Sequence, residues 1–216
     1  MRKSHRKSFF HKDAILAEAV NELIRLHNCH TVVLYGSRAQ GRETPKSDYD
    51  LLGIRTSGKK FRYARKKKGF FIDAFVFPER DLRRINESHV YMKDGRVLYG
   101  TDKYGERLIK RINAAAKKPY KPLPPDELQV RKVWAYKMLE RIEVNDIEAK
   151  YRRSWLHESL LCDYFNLRKK RYCGSKQSFE WLKANDRKTY NLFAKVLNQP
   201  NNLKVLRLLV GRVTRL

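Results

Sequence analysis

Between Asp13 and His27, apolar residues fall at Leu16, Ala19, Val20, Leu23 and Ile24, the spacing of one helix face. Short apolar, β-rich runs follow at 31–35, 49–54 and 70–77 and read as strands. Residues Glu79 to Glu87 read as a helix, Asp94-Gly95 as a turn, Val97 to Gly100 as a further short strand, and Tyr104 to Ala116 as another helix. The segment 117–125 then holds four prolines in nine residues, the composition of a semi-rigid spacer. Beyond it the pattern is helical throughout. One helix, with Asp126 as its N-cap, carries Val130, Val133, Trp134, Met138 and Ile142, and a second runs from Arg152 to Leu167. Gly174-Ser175 breaks the pattern, shorter helices surround Phe179–Leu182 and Tyr190–Phe193, and a last one spans Leu203 to Val213. The predicted domains are therefore 1–117 and 126–216, with a Pro-rich linker at 118–125. Trp134, Trp155 and Trp181 read as core residues of the second domain.

Composition adds a large positive charge. The 216 residues carry a formal net charge of +26. Residues 1–116 hold 26 basic and 13 acidic side chains and residues 117–216 hold 23 and 10, so each half carries +13. That even division argues against a single dedicated nucleic-acid face. Two local clusters stand out: Arg55 to Lys68, with eight cations and no acid, and Arg168-Lys169-Lys170-Arg171. Such runs attract phosphates, although the first also reads as a solvated loop joining two strands. The three cysteines, Cys29, Cys162 and Cys173, form no Cys-x-x-Cys pair, which speaks against structural zinc and suits a reducing cytoplasm. Acids interrupt any signal-peptide core near the N-terminus, and no apolar stretch approaches membrane-spanning length, so no membrane partner is expected.

The chemistry concentrates between Leu34 and Leu52, LYGSRAQGRETPKSDYDLL. A strand ends in Gly36-Ser37. Glycine there lets backbone approach a ligand closely, successive N–H groups make an anion nest, and a helix start behind them adds its dipole. Ser37 can donate to a phosphate oxygen, Arg38 and Arg42 read either as charge-neutralising groups or as solvated loop cations, and Thr44 to Ser47 is turn chemistry. Asp48 and Asp50, two residues apart on a strand, project side by side and repel unless a cation lies between them. Asp73 sits mid-run in Phe-Phe-Ile-Asp-Ala-Phe-Val-Phe, where a lone carboxylate is costly unless paired or metal-bound. An adjacent strand is the economical position for it. Hard divalent cations take such oxygen ligands together with substrate phosphates.

Gly-Ser-Arg-Ala-x-Gly, Ser-Asp-x-Asp-Leu and an apolar-flanked Asp together resemble the DNA polymerase β–type nucleotidyltransferase superfamily, and most of all its small bacterial members. The likeness covers residues 31–77 and extends to Gly-Arg-Val-Leu-Tyr at 95–99. It implies an α+β chain: a small mixed β-sheet with flanking helices, followed by an all-α helical bundle. It also implies roles. Asp48, Asp50 and Asp73 would be the catalytic metal ligands, holding two Mg²⁺ ions (Mn²⁺ the alternative). Gly36, Ser37, Arg38 and Ser47 would hold the NTP, with ATP the expected donor. The reaction would be transfer of a nucleoside monophosphate to an acceptor hydroxyl. Glu140 and Glu143 are candidate general bases by analogy with antibiotic nucleotidyltransferases.

For the acceptor, RNA or protein is favoured over a small molecule, since an aminoglycoside pocket would want acids; a homodimer is compatible with all of these. The alternatives are an aminoglycoside nucleotidyltransferase and a toxin–antitoxin module whose helical domain binds or cleaves RNA. For the latter, Arg152 and His157 resemble the Arg-x4-His signature of ribonuclease-type helical (HEPN) domains. The competing reading is a structural helix with a surface Arg and a half-buried His.

Overall fold

The computed structural model describes residues 13–100 and 102–215. The chain forms two compact units, divided between Lys118 and Pro119.

In the first unit, α1 (Ala14–His27) is followed by β1 (Thr31–Tyr35), the single turn α2 (Gly36–Ala39), β2 (Tyr49–Arg55), β3 (Phe61–Lys67), β4 (Phe70–Pro78), β5 (Arg96–Gly100) and α3 (Tyr104–Lys117). The strands make one mixed sheet in the order β3-β4-β2-β1-β5. Among these described strands only β2 and β4 pair in parallel. The sheet is covered on both faces, which is why β1 is buried along its whole length. Leu16, Val20 and Leu23 of α1 pack on Leu34, Leu51, Ala74 and Val76. On the other face, Leu108 and Ile112 of α3 pack with Leu82 and Met92 on Val33, Leu52, Ile54 and Phe77. Asp13 caps α1 by accepting from Ile15 N and Leu16 N, and its second oxygen accepts from Tyr49 Oη at 2.6 Å, fixing the helix start to the start of β2.

Four readings of the sequence change. The basic run 55–68 is not a loop throughout: its second half is the edge strand β3, antiparallel to β4. Phe61 and Tyr63 alternate with cations; both pack beside His27 of α1, while Arg62 lies over Phe75 on the opposite face. Edge strands tolerate such charge, which blunts edge-to-edge association. The predicted helix at 79–87 is instead two short 3₁₀ turns, Glu79–Leu82 and Glu87–Met92. Asn86 divides them, its side chain accepting from Ser88 N as a new cap. Asp126 is not the N-cap; Pro124 is, with Pro125 at the first helical position, where a missing N–H costs nothing. Finally, Trp155 is 53% exposed, whereas Trp134 and Trp181 pack against the second core.

The second unit comprises α4 (Pro125–Ile142), α5 (Ile147–Leu167), α6 (Ser175–Asn185), α7 (Arg187–Asn198) and α8 (Leu203–Thr214), around Met138, Ile142, Leu156, Leu160, Phe193 and Leu209. The α+β class expected from the sequence is thus the observed one. Helix α5 begins five residues before Arg152 because Asp146 caps it, accepting from Ala149 N at 2.7 Å.

Asp186 joins several elements of this unit. It caps α7 through Thr189 N, accepts from Thr189 Oγ1 and Tyr164 Oη, and pairs with Arg212 at 3.1 Å. Burial alone would raise its pKa, but these donors outweigh it and bring the carboxyl down to about 2. The stability it contributes is therefore complete above the ordinary carboxylate pKa and is lost as pH falls towards 2. Asp186→Ala is expected to cost about 1–2 kcal/mol at neutral pH. The gap between variant and wild-type unfolding free energies should shrink steadily from about pH 4 downwards.

Candidate active site

Two local features bring the acids together. A hairpin turn at Lys68-Gly69, both with positive φ (46° and 84°), reverses β3 into β4. The return lays β4 parallel to β2 with Asp73 directly abreast of Asp50. On its other side Asp50 is paired with Tyr35, the last residue of β1, so the next residue, Gly36, arrives at the same spot. Gly36 has φ +71°, and a Cβ built on it would stand 2.2 Å from Asp50 Oδ2. The loop backbone and the carboxylate are therefore in contact, and only glycine allows it.

Asp50 makes no hydrogen bond or ion pair with any described residue. Its pKa is pushed up to about 6, first by burial, then by the charges of Asp48 and Asp73, against a smaller opposing effect of Arg38. A half-desolvated carboxylate facing two others and lacking a counter-ion is suited to a cation.

Asp73 has already found one. Arg62 Nε donates to Asp73 Oδ1 at 2.7 Å and Arg62 Nη2 to Oδ2 at 2.5 Å. The carboxylate is 21% exposed and the guanidinium side chain 62%, so this bidentate clamp is open to solvent on the arginine's side. Asp48 lies one residue before β2 and is exposed. Among the described residues no group of three or more His, Cys, Asp and Glu side chains is drawn in closely enough to hold a metal ion by itself. Arg62 occupies Asp73, and Asp48 stands off the strand. The donor set still fits a hard cation: carboxylate oxygens at Asp50, Asp73 and Asp48, with remaining positions open to water or substrate phosphates.

The remaining predicted residues are placed as follows. Ser37 sits in α2, which is a single turn and too short to supply a sizeable dipole; backbone N–H groups of the loop are what remains for an anion. Arg38 faces back along its own loop. Its Nη2 donates to Ser47 O at 2.7 Å and its Nε to Asp48 O at 3.1 Å, and the guanidinium lies 3.8 Å above the Tyr49 ring. Arg38 thus organises the backbone that carries Asp48. The Ser47 hydroxyl accepts from Thr44 N at 2.8 Å and closes the turn. Lys67 pairs with Glu18 and Glu22, leaving it less free to serve a ligand than its place in a basic run suggested.

Arg62 is the residue sequence reasoning passed over. It is one of eight cations in 55–68, and nothing local distinguishes it. Only the β3–β4 register sets it against Asp73. Near Asp50 and Asp73 two aromatic rings are partly exposed: Phe71 at 54% beside Lys66, and Tyr91 at 48% against Tyr35 and Phe75.

In the helical unit, Arg152 pairs with Glu148 of its own helix. The charge felt by His157 is instead that of the buried Arg153; burial first and Arg153 second lower its pKa. Arg153 donates to Asn201 Oδ1 at 2.6 Å. Arg152 and His157 are therefore engaged with different neighbours. Glu143 pairs with Arg207 at 2.5 Å, and Glu140 is exposed on α4. No described helix is long and apolar enough to cross a membrane.

No protein-family model and no curated protein matches this sequence. Among solved structures, the chain is similar to a nucleotidyltransferase-like protein from Exiguobacterium sibiricum 255-15, at 12% identity and a TM-score of 0.43, over 91% of this chain and 73% of that one.

Proposed function

We propose that the first unit transfers a nucleoside monophosphate from an NTP, with ATP the expected donor, to an acceptor hydroxyl. The observation that carries this reading is the contact between the Gly36 loop and Asp50, with Asp73 abreast. A backbone fit for a triphosphate and a carboxylate fit for a cation meet at one point.

The geometry supports the following roles. The backbone after Gly36, with the Ser37 hydroxyl, holds the phosphates. Arg38 keeps Asp48 in place through its carbonyl. Asp50, Asp73 and Asp48 would hold Mg²⁺, which in such a site withdraws charge from the phosphates and lowers the pKa of an attacking hydroxyl. Alignment of that hydroxyl with the α-phosphorus, opposite the departing pyrophosphate, supplies much of the rate. Phe71 and Tyr91 offer flat surfaces beside the acids on which a base can stack. The chain's positive charge favours a polyanionic or macromolecular acceptor, RNA or protein, over a small cation, and its three free thiols suit the cytoplasm.

Incubating the protein with α-labelled ATP, Mg²⁺ and fractionated lysate tests the reaction directly. Label should enter RNA or protein and depend on Asp50. Label confined to free nucleotides in every fraction would sink the proposal.

Arg62 gives a second test without turnover. It competes for Asp73 with any metal, so Arg62→Gln should bind Mn²⁺ several-fold more tightly, measured by the free-ion paramagnetic resonance signal. Arg62→Gln/Asp73→Asn should lose that gain. Unchanged Mn²⁺ affinity in Arg62→Gln would show that Asp73 is not a ligand.

A further inference from the structure

Helix α8 carries a feature that the chemistry of the first unit does not use. A cavity of about 540 Å³ is lined by Arg168, Arg207, Leu208, Gly211, Arg212 and Arg215. Four of its six lining residues are arginines and none is acidic. Residues 207, 211 and 215 recur every four positions, with 208 and 212 beside them, so one face of α8 and its C-cap residue Arg215 supply five of the six, and Arg168 comes from the end of α5.

The arginines are held in different ways. Arg207 is oriented by Glu143 and Arg212 by Asp186, and neither acid lines the cavity. Arg168 reaches from the end of α5 to cap α8, donating to Val213 O at 3.1 Å and Arg212 O at 2.9 Å. It thereby covers carbonyls that would otherwise repel an anion. Arg215 has no acidic partner among the described residues. Two acids against four guanidinium groups leave a local surplus of positive charge.

Gly211 is the independent observation. A glycine inside a helix costs about 1 kcal/mol relative to alanine. Glycines at packed positions repay that by making room for a neighbour, yet a Cβ on Gly211 would meet nothing within 4 Å. Packing does not call for it. What its missing side chain provides is an open floor between the arginines.

We propose that this cavity is a phosphate-binding site. Planar guanidinium forks match phosphate oxygens in pairs, and two of them are already oriented by buttressing acids. The phosphate could be one of an RNA backbone or of a free oligophosphate, since both present the same oxyanion. The site stands independently of the nucleotide-transfer reading of the first unit.

The test uses the full chain, with binding of a short single-stranded RNA followed by fluorescence anisotropy across a salt series and binding of tripolyphosphate followed by calorimetry. Arg207→Gln/Arg215→Gln should weaken binding and flatten the logarithmic salt slope for RNA by about 0.7 for each phosphate contact removed. Gly211→Met leaves the charge unchanged and improves helix propensity, so the fold should melt no lower while binding weakens. Lys204→Gln, on the same helix but outside the cavity, should leave binding close to wild type. Losses confined to RNA identify the backbone as the source, and losses confined to tripolyphosphate identify the free anion. The proposal is overturned if neither ligand responds to the cavity variants, if Gly211→Met binds like wild type, or if Lys204→Gln costs as much as the double variant.

Discussion

Asp50→Asn is expected to reduce nucleotide transfer by about 10³-fold or more, while making the metal-free protein more stable near neutral pH. The first effect follows from losing the carboxylate that touches the Gly36 loop and is proposed to hold the metal. The second follows from its pKa. In the folded chain Asp50 keeps its proton up to about pH 6. In the unfolded chain an aspartate releases it near 3.9. Through that interval the folded state binds more protons, so its stability falls as pH rises and stays lower above it. Asparagine removes the burial cost of the charge and the repulsion from Asp48 and Asp73. After allowance for solvent screening, the gain should be on the order of 1 kcal/mol above pH 7 and close to zero below pH 4. Thermal melts in chelator at both ends of that range measure it. Asp73→Asn should also abolish transfer, but it gives up a clamp to Arg62 and should show no comparable gain. Wild-type turnover in either variant would remove the catalytic assignment, and equal melts for Asp50→Asn at all pH values would remove the electrostatic one.

Gly36→Ala should eliminate measurable binding of a non-hydrolysable ATP analogue. A methyl group at this position would sit 2.2 Å from Asp50 Oδ2 and 3.0 Å from its Cγ, so the carboxylate must swing away. The backbone would also hold an L-residue at φ +71°, and the combined strain should cost about 1–3 kcal/mol. Gly41→Ala is the matched comparison: its φ is +65°, but nothing lies within 4 Å of the added carbon. It should share the conformational penalty and keep the nucleotide. Calorimetric titration separates the two. If both variants bind alike, the triphosphate is not held at Gly36.

The elements of this chain that sequence patterns predicted are those whose signal is local. Helix α1 repeats its apolar residues every three or four positions and is capped by the aspartate that precedes it. Strands β1, β2 and β4 are apolar runs because the sheet is covered on both faces. Where two local signals compete, the sequence pattern misleads. Eight cations between Arg55 and Lys68 concealed the alternation of Phe61 and Tyr63 that makes β3 a strand. A helical composition at 79–87 concealed the cap at Asn86 that splits the segment.

The candidate site divides along the same line. The positions of Gly36-Ser37 at a strand end and of Asp50 and Asp73 within strands came from residue type and spacing, whereas Asp48, expected on the strand beside Asp50, lies one residue before it. The sequence alone also determined the charge and the change from mixed to purely helical pattern at the prolines. Only the tertiary structure decided which partner each charge would meet. Arg62, opposite Phe75, reaches diagonally to Asp73, opposite Ala64, through the pairing of β3 with β4, and Arg38 turns to the Ser47 and Asp48 carbonyls across a folded loop. Along α8 and at its C-cap, Arg207, Arg212 and Arg215 line one cavity with Gly211, and Arg168 arrives there from the end of α5. A side chain's chemistry is written in its own residue, but its electrostatic environment is set by neighbours that are distant in the chain, and these exist only once strands have taken their register and helices have packed.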